Sequence, residues 1–120
     1  MRLLLAIAAI TNALDVQDVA YAVITSSPVA KDRLPPLEAA WIKPARARGI
    51  TVLIINDACD DPNCVAVACE ASQAGVPCKS GRAFVELRRR TTASWFARVM
   101  GDTFVDVDTL TWHLAAYDST

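Results

Sequence analysis

Thr51-Val52-Leu53-Ile54-Ile55 is a continuous apolar run, closed by Asn56-Asp57. Without polar alternation, it predicts a strand buried on both faces, as in a parallel sheet covered by helices. Upstream, Val19 to Thr25 is rich in β-formers and ends in Ser26-Ser27-Pro28, which predicts a second buried strand running into a loop. Between them, Lys31 to Lys43 reads as a helix. Asp32 is its expected cap, Pro35 and Pro36 are expected in its first turn, and Leu37 and Trp41 share one face. Pro44 and Gly49 break that pattern.

Downstream, Asp60-Asp61-Pro62-Asn63 reads as a turn and Val65-Ala66-Val67-Ala68 as a short third strand. Ala71 to Pro77 reads as a loop. Cys78 to Arg90 reads as a helix with Phe84 and Leu87 at helical spacing, and Trp95 to Met100 as a fourth strand. Gly101-Asp102 follows, then a last helix through Tyr117, capped by Asp106 or Asp108, with Leu110, Leu114 and Tyr117 on its apolar face. The alternation strand, helix, strand, strand, helix, strand, helix predicts a three-layer α/β domain. Its sheet is open and mostly parallel, with helices on both faces.

Composition supports one folded domain. The chain has 120 residues, 53% of them hydrophobic, well above the range of disordered segments. A net charge of −1 gives no footprint for nucleic acid or for an anionic membrane surface. Arg88-Arg89-Arg90 is local and reads as a solvated helix end, where cations suit the helix dipole. No repeat, low-complexity segment or interior linker divides the sequence.

Met1-Arg2, the apolar stretch Leu3 to Ile10 and Thr11-Asn12-Ala13 have the layout of a secretory signal. Residues 1–15 are therefore read as a signal peptide or short signal anchor, and residues 16–120 as the domain. A buried first strand or helix is the rival reading. Cys59, Cys64, Cys69 and Cys78 behind such a signal read as disulfides. Four cysteines allow three connectivities. The local pairs Cys59–Cys64 and Cys69–Cys78 are favoured because each closes a short polar loop. A four-thiolate zinc site is the alternative, but no Cys-x-x-Cys pair is present.

Ligands of open α/β sheets bind beyond the carboxyl ends of the strands. Those ends carry Thr25-Ser26-Ser27, Asn56-Asp57 and Gly101-Asp102. Hydroxyls, an amide and two carboxylates at one edge suit a ribose, a base edge and a divalent cation. Neither a Gly-rich dinucleotide fingerprint nor a phosphate-binding P-loop motif occurs, which excludes the usual dehydrogenase and P-loop classes. Asp102 ends an aromatic-rich strand and suits Mg²⁺ or Mn²⁺ bridging a diphosphate, since hard cations take oxygen ligands. The plainer reading is that Asp102 only turns the chain.

The stretch Trp95 to Tyr117 resembles the segment of Fringe-like β-1,3-glycosyltransferases that carries their acidic metal motif. Val99-Met100-Gly101-Asp102-Thr103-Phe104-Val105 occupies the place of that motif. Only its last acid, Asp102, is kept, and Met100 and Gly101 stand where the family usually has carboxylates. The resemblance continues upstream. Ala22-Val23-Ile24-Thr25-Ser26 resembles the first strand, Arg33-Leu34 with Leu37 to Ile42 resembles the following helix, and Ile54-Ile55-Asn56-Asp57 resembles the second strand. Cys69 and Cys78-Lys79 resemble a disulfide-bearing loop entering a helix. Similarity covers roughly residues 19–120.

The resemblance implies a GT-A-type nucleotide-diphospho-sugar transferase domain, represented by its front part. It implies a UDP-sugar donor, Mn²⁺ (or Mg²⁺) at Asp102, and a nucleotide site drawn from Thr25, Ser26, Arg33, Asp57 and Lys79. A glycan or glycoprotein acceptor would be attacked at a 3-hydroxyl with inversion, in the Golgi lumen or at its membrane. An inverting transfer needs a general base, which in the family comes well after the metal motif, whereas this sequence stops at Thr120. His113, the only histidine, reads as a helix-face or core residue. The alternative is a secreted, non-catalytic α/β domain that binds a nucleotide sugar, a glycan or a protein.

Overall fold

The computed structural model describes residues 14–117 and makes the apolar run an inner strand of a four-stranded sheet. Strands β1 (Val19–Ile24), β2 (Val52–Asn56), β3 (Cys64–Ala66) and β4 (Trp95–Met100) are all parallel, in the order β3-β2-β1-β4. Ile24 is level with Ile55 on one side and Met100 on the other. The carboxyl ends of β1, β2 and β4 therefore share one edge, as expected. The predicted signal segment falls mostly outside the described residues. Leu14 packs on the core, and Asp15 caps a short 3₁₀ turn at Val16–Asp18.

Strand geometry sends alternate side chains to opposite faces. Val19, Tyr21 and Val23 of β1, with Val52 and Ile54 of β2, enter one core cluster. Ala20, Ala22 and Ile24, with Leu53 and Ile55, enter the other. Helices α1 (Ser27–Leu37), α2 (Lys43–Ala47) and α4 (Val107–Leu114) cover the first face, and α3 (Val76–Arg90) the second. Trp41 anchors the first layer edge-on to Tyr21, with ring centroids 5.6 Å apart.

Helix α1 corrects the predicted start at Lys31. It begins at Ser27, with Pro28 in its first turn, where a missing N–H costs nothing. Ser26 is the cap residue, and Asp32 lies inside the helix. Pro35 and Pro36 sit within α1 on its exposed side and give up two backbone donors there. The chain then relaxes through a π turn, Glu38–Ile42, before α2. Gly49, at φ +80°, ends this stretch in the left-handed region that glycine adopts without strain.

Other boundaries shift as well. The third strand is Cys64–Ala66, one residue earlier and shorter than expected. The predicted loop before α3 holds a 3₁₀ turn at Gln73–Gly75, and α3 starts at Val76 with Pro77 in its first turn. The buried row of α3 is Lys79, Ala83 and Leu87, so of the expected pair Leu87 is buried, whereas Phe84 is 41% exposed. Asp106, not Asp108, caps α4 by accepting the Thr109 N–H. Tyr117 lies three residues past that helix, where the chain has turned outward, and is exposed. Among the described residues no helix is long and apolar enough to cross a membrane.

Both expected disulfides are formed, Cys59–Cys64 and Cys69–Cys78. Disulfides persist in oxidising compartments, so these bonds suit an extracellular or secretory-pathway protein.

Candidate functional site

The chain enters β1, crosses to β2 and β3 on one side, then returns through α3 to β4 on the other. The sheet order therefore reverses between β1 and β4. In open α/β sheets a crevice forms at the carboxyl side of such a reversal, because the connections leave in opposite directions. A cleft of about 540 Å³ lies there, within the usual range of small-molecule sites. The structure brings Thr25, Ser26, Arg33, Lys79 and Asp102 together in its lining. Met100 and Gly101 line it on the β4 side, and Ser72 and Gln73 on the α3 side.

Asp57 follows β2 at the same edge, but its carboxylate is occupied from within the protein. It accepts the Ser27 N–H at 3.0 Å, the Ser27 hydroxyl, and the Lys79 ammonium at 3.0 Å. Burial alone would raise its pKa. The Ser27 hydroxyl and N–H, followed by Lys79, outweigh burial and hold the carboxyl well below the usual carboxylate range. Asp57 also sits at the N-terminus of α1, where the helix dipole favours an anion. Lys79 is buried and donates as well to the Thr25 carbonyl at 2.8 Å. One ion pair thus ties the ends of β1 and β2 and the first turns of α1 and α3 into a rigid cleft floor.

Sequence reasoning singled out Asp57 and Lys79 as separate candidates, without their contact. It placed Ser27 among the strand-end hydroxyls, without its bonds to Asp57. It missed Ser72 and Gln73, which carry no motif and lie in the loop closed by the Cys69–Cys78 disulfide.

Thr25 is 6% exposed, and its hydroxyl has no hydrogen-bond partner among the described residues. A buried polar group left unpaired costs about 1–3 kcal/mol, so such a group beside a cleft points to a partner supplied by a ligand. Gly101 packs closely against this group, with no room for a side chain. A Cβ there would approach the Ile24 carbonyl oxygen to 3.1 Å and the Thr25 hydroxyl to 3.2 Å. The loop after β4 is held by Trp41, whose indole N–H donates to the Thr103 carbonyl at 3.1 Å. That bond anchors the residue that follows Asp102.

No protein-family model matches the chain, and no curated protein matches it.

With Asp57 occupied, Asp102 is, among the described residues, the one carboxylate lining the cleft. Among the described residues no group of three or more histidine, cysteine, aspartate or glutamate side chains gathers as a metal cage. Magnesium-type sites often use one or two carboxylates and leave the remaining positions to water and substrate phosphates. Asp102, exposed at the cleft rim, fits that sparse mode. Arg33 lines the same cleft, and a guanidinium matches phosphate oxygens in a bidentate manner.

Proposed function

We propose that this chain is the donor-binding part of a UDP-sugar-dependent, Fringe-like glycosyltransferase. The proposed reaction is inverting β-1,3 transfer to a glycan or glycoprotein. The observation that carries the reading is the convergence of Thr25, Ser26, Arg33 and Asp102 on the switch-point cleft. Hydroxyls suit the nucleoside, Arg33 suits the diphosphate, and Asp102 suits a cation shared with it. Bound Mn²⁺ or Mg²⁺ would neutralise the negative charge that develops on the leaving diphosphate. The part left to the chain's own residues is binding and orientation. Lys79 and Asp57 hold the floor, Ser26 and Thr25 offer hydroxyls, and Arg33 grips phosphate. A place in the Golgi lumen or at its membrane goes with this reading.

Met100 and Gly101, standing where the family usually has acids, support the alternative of a non-catalytic domain that binds the nucleotide sugar or another ligand.

Calorimetric titration with UDP and Mn²⁺ distinguishes these readings. Wild type is expected to bind weakly, because one protein carboxylate leaves most of the cation's shell to water and phosphate. Asp102→Ala is expected to bind at least about tenfold more weakly, which corresponds to about 1.4 kcal/mol. Arg33→Ala is expected to lose affinity with or without the metal. Equal affinity in wild type and Asp102→Ala removes Asp102 from the site. Absence of UDP binding in wild type removes the nucleotide reading.

A further inference from the structure

A second cleft, of about 440 Å³, lies on the other side of the Ser27–Asp57 contact, between α1 and the Cys59–Cys64 loop. It exists because α1 covers β1 and part of β2, whereas β3 is short and leaves that face of the sheet uncovered beyond Ile54. Its floor is aliphatic, from Ala30, Leu34 and Ile54. Its polar lining is planar and mixed in charge. Arg46 donates through Nε and Nη2 to the Val52 carbonyl at 3.1 and 2.6 Å, which leaves its other guanidinium N–H groups without a partner among the described residues. Burial lowers the pKa of Arg46, while nearby Asp61 and Glu38 act the other way, which puts both acids within electrostatic reach of it. Asn56 is 5% exposed and lines the cleft, and its amide oxygen accepts the Asp57 N–H at 2.8 Å. That bond uses the amide oxygen and leaves the two NH₂ donors without a partner among the described residues.

We propose that this second cleft binds a neutral carbohydrate, at a site separate from the nucleotide cleft. A sugar ring presents an aliphatic face and a girdle of hydroxyls, each both donor and acceptor. The aliphatic floor takes the ring face. Arg46 and Asn56 donate to hydroxyl oxygens, and Glu38 and Asp61 accept from hydroxyl hydrogens. A free anion would meet the carboxylates of Glu38 and Asp61, with Asp60 beside them. A free cation would meet Arg46 and Lys31. A neutral ligand with alternating donors and acceptors satisfies both signs at once, and groups half-withdrawn from water reward such pairing.

The inference does not depend on the nucleotide reading, and its test contains no nucleotide. Isotope-labelled protein is titrated with lactose and followed by amide NMR shifts. Saturable shifts are expected at Ala30, Leu34, Asn56 and Asn63, with a Kd on the order of millimolar, as suits a small ligand of modest efficiency. Ala30→Trp fills the cleft from the α1 side and is expected to weaken binding at least about tenfold, while a well-dispersed spectrum reports an intact fold. Glu38→Ala, made separately, is expected to weaken binding without filling the cleft. Glucuronate and glucosamine, the charged counterparts, are expected to bind more weakly than lactose. The proposal is overturned by an absence of saturable shifts, by shifts confined to the switch-point cleft, by undiminished binding in Ala30→Trp, or by tighter binding of either charged sugar.

Discussion

Lys79→Met is expected to destabilise the domain by about 3 kcal/mol, at the low end of the roughly 3–5 kcal/mol for breaking a buried ion pair. The low end applies because Asp57 keeps two donors from Ser27, and its side chain is 15% exposed. Methionine nearly matches the volume of lysine, so the cost is that of an orphaned carboxylate and an unpaired Thr25 carbonyl rather than of a cavity. For a domain of this size, roughly 4–8 °C of melting temperature goes with each kcal/mol. The expected fall is therefore roughly 12–24 °C by thermal denaturation. Lys43→Met is the control, since Lys43 is 72% exposed and stands 4.0 Å from Glu38. It should change stability by less than about 0.5 kcal/mol. Lys79→Met combined with Asp57→Asn should recover part of the loss, because the buried charge goes with its partner. A loss below about 1 kcal/mol in Lys79→Met would show that the pair does not hold the floor.

The same contact sets an acid dependence. The folded pKa of Asp57 lies below its unfolded value, so its contribution is complete above the unfolded pKa, about 4. It is lost as pH falls through the folded value. The urea midpoint of the wild type should therefore drop between neutral pH and pH 3, and by less in Asp57→Asn. Asp108 is also depressed, through its hydrogen bonds from Arg48, so some acid sensitivity should persist in that variant.

How far the fold could be read in advance follows from where the information resides. The apolar run ending at Ile55 specified a doubly buried strand, because a parallel sheet covered on both sides tolerates no polar alternation. The shared edge of Thr25, Asn56 and Gly101 followed from strand ends alone. The start of α1 did not, because Pro35-Pro36 reads locally as a helix beginning. What decides that start lies thirty residues away, where Asp57 meets the Ser27 N–H. Of the buried row 79, 83 and 87, Leu87 was legible, but Lys79 was hidden for a similar reason. A lysine scores as surface, and only the distant carboxylate makes its burial affordable. Candidate site residues were legible as residue types at strand ends, whereas their division into occupied and available groups was not. Asp57 and Lys79 satisfy each other, while Thr25 and Asp102 keep capacity for a ligand, a distinction carried by partner geometry rather than by motif.

The Cys69–Cys78 disulfide bears on that available half of the site. Chain entropy for its nine-residue separation gives about 2.5–3 kcal/mol of stabilisation, and about 2 kcal/mol for the five-residue separation of Cys59–Cys64. Cys69→Ser/Cys78→Ser should therefore lose about 2.5–3 kcal/mol in urea denaturation. A functional consequence separates the two bonds. Cys69 packs on the second core cluster, and Cys78 stands one residue before Lys79 in the first turns of α3. The bond pins the loop carrying Ala71, Ser72 and Gln73, one wall of the switch-point cleft. Its loss should loosen that wall at temperatures where the domain is still folded, and on the proposed reading UDP affinity should fall with it. Cys59→Ser/Cys64→Ser removes a bond beside the second cleft and should weaken lactose binding while sparing UDP. Measuring both ligands on both double variants gives a crossed pattern if each disulfide supports its own cleft. Equal losses of both ligands in both variants would show that the bonds act only through global stability.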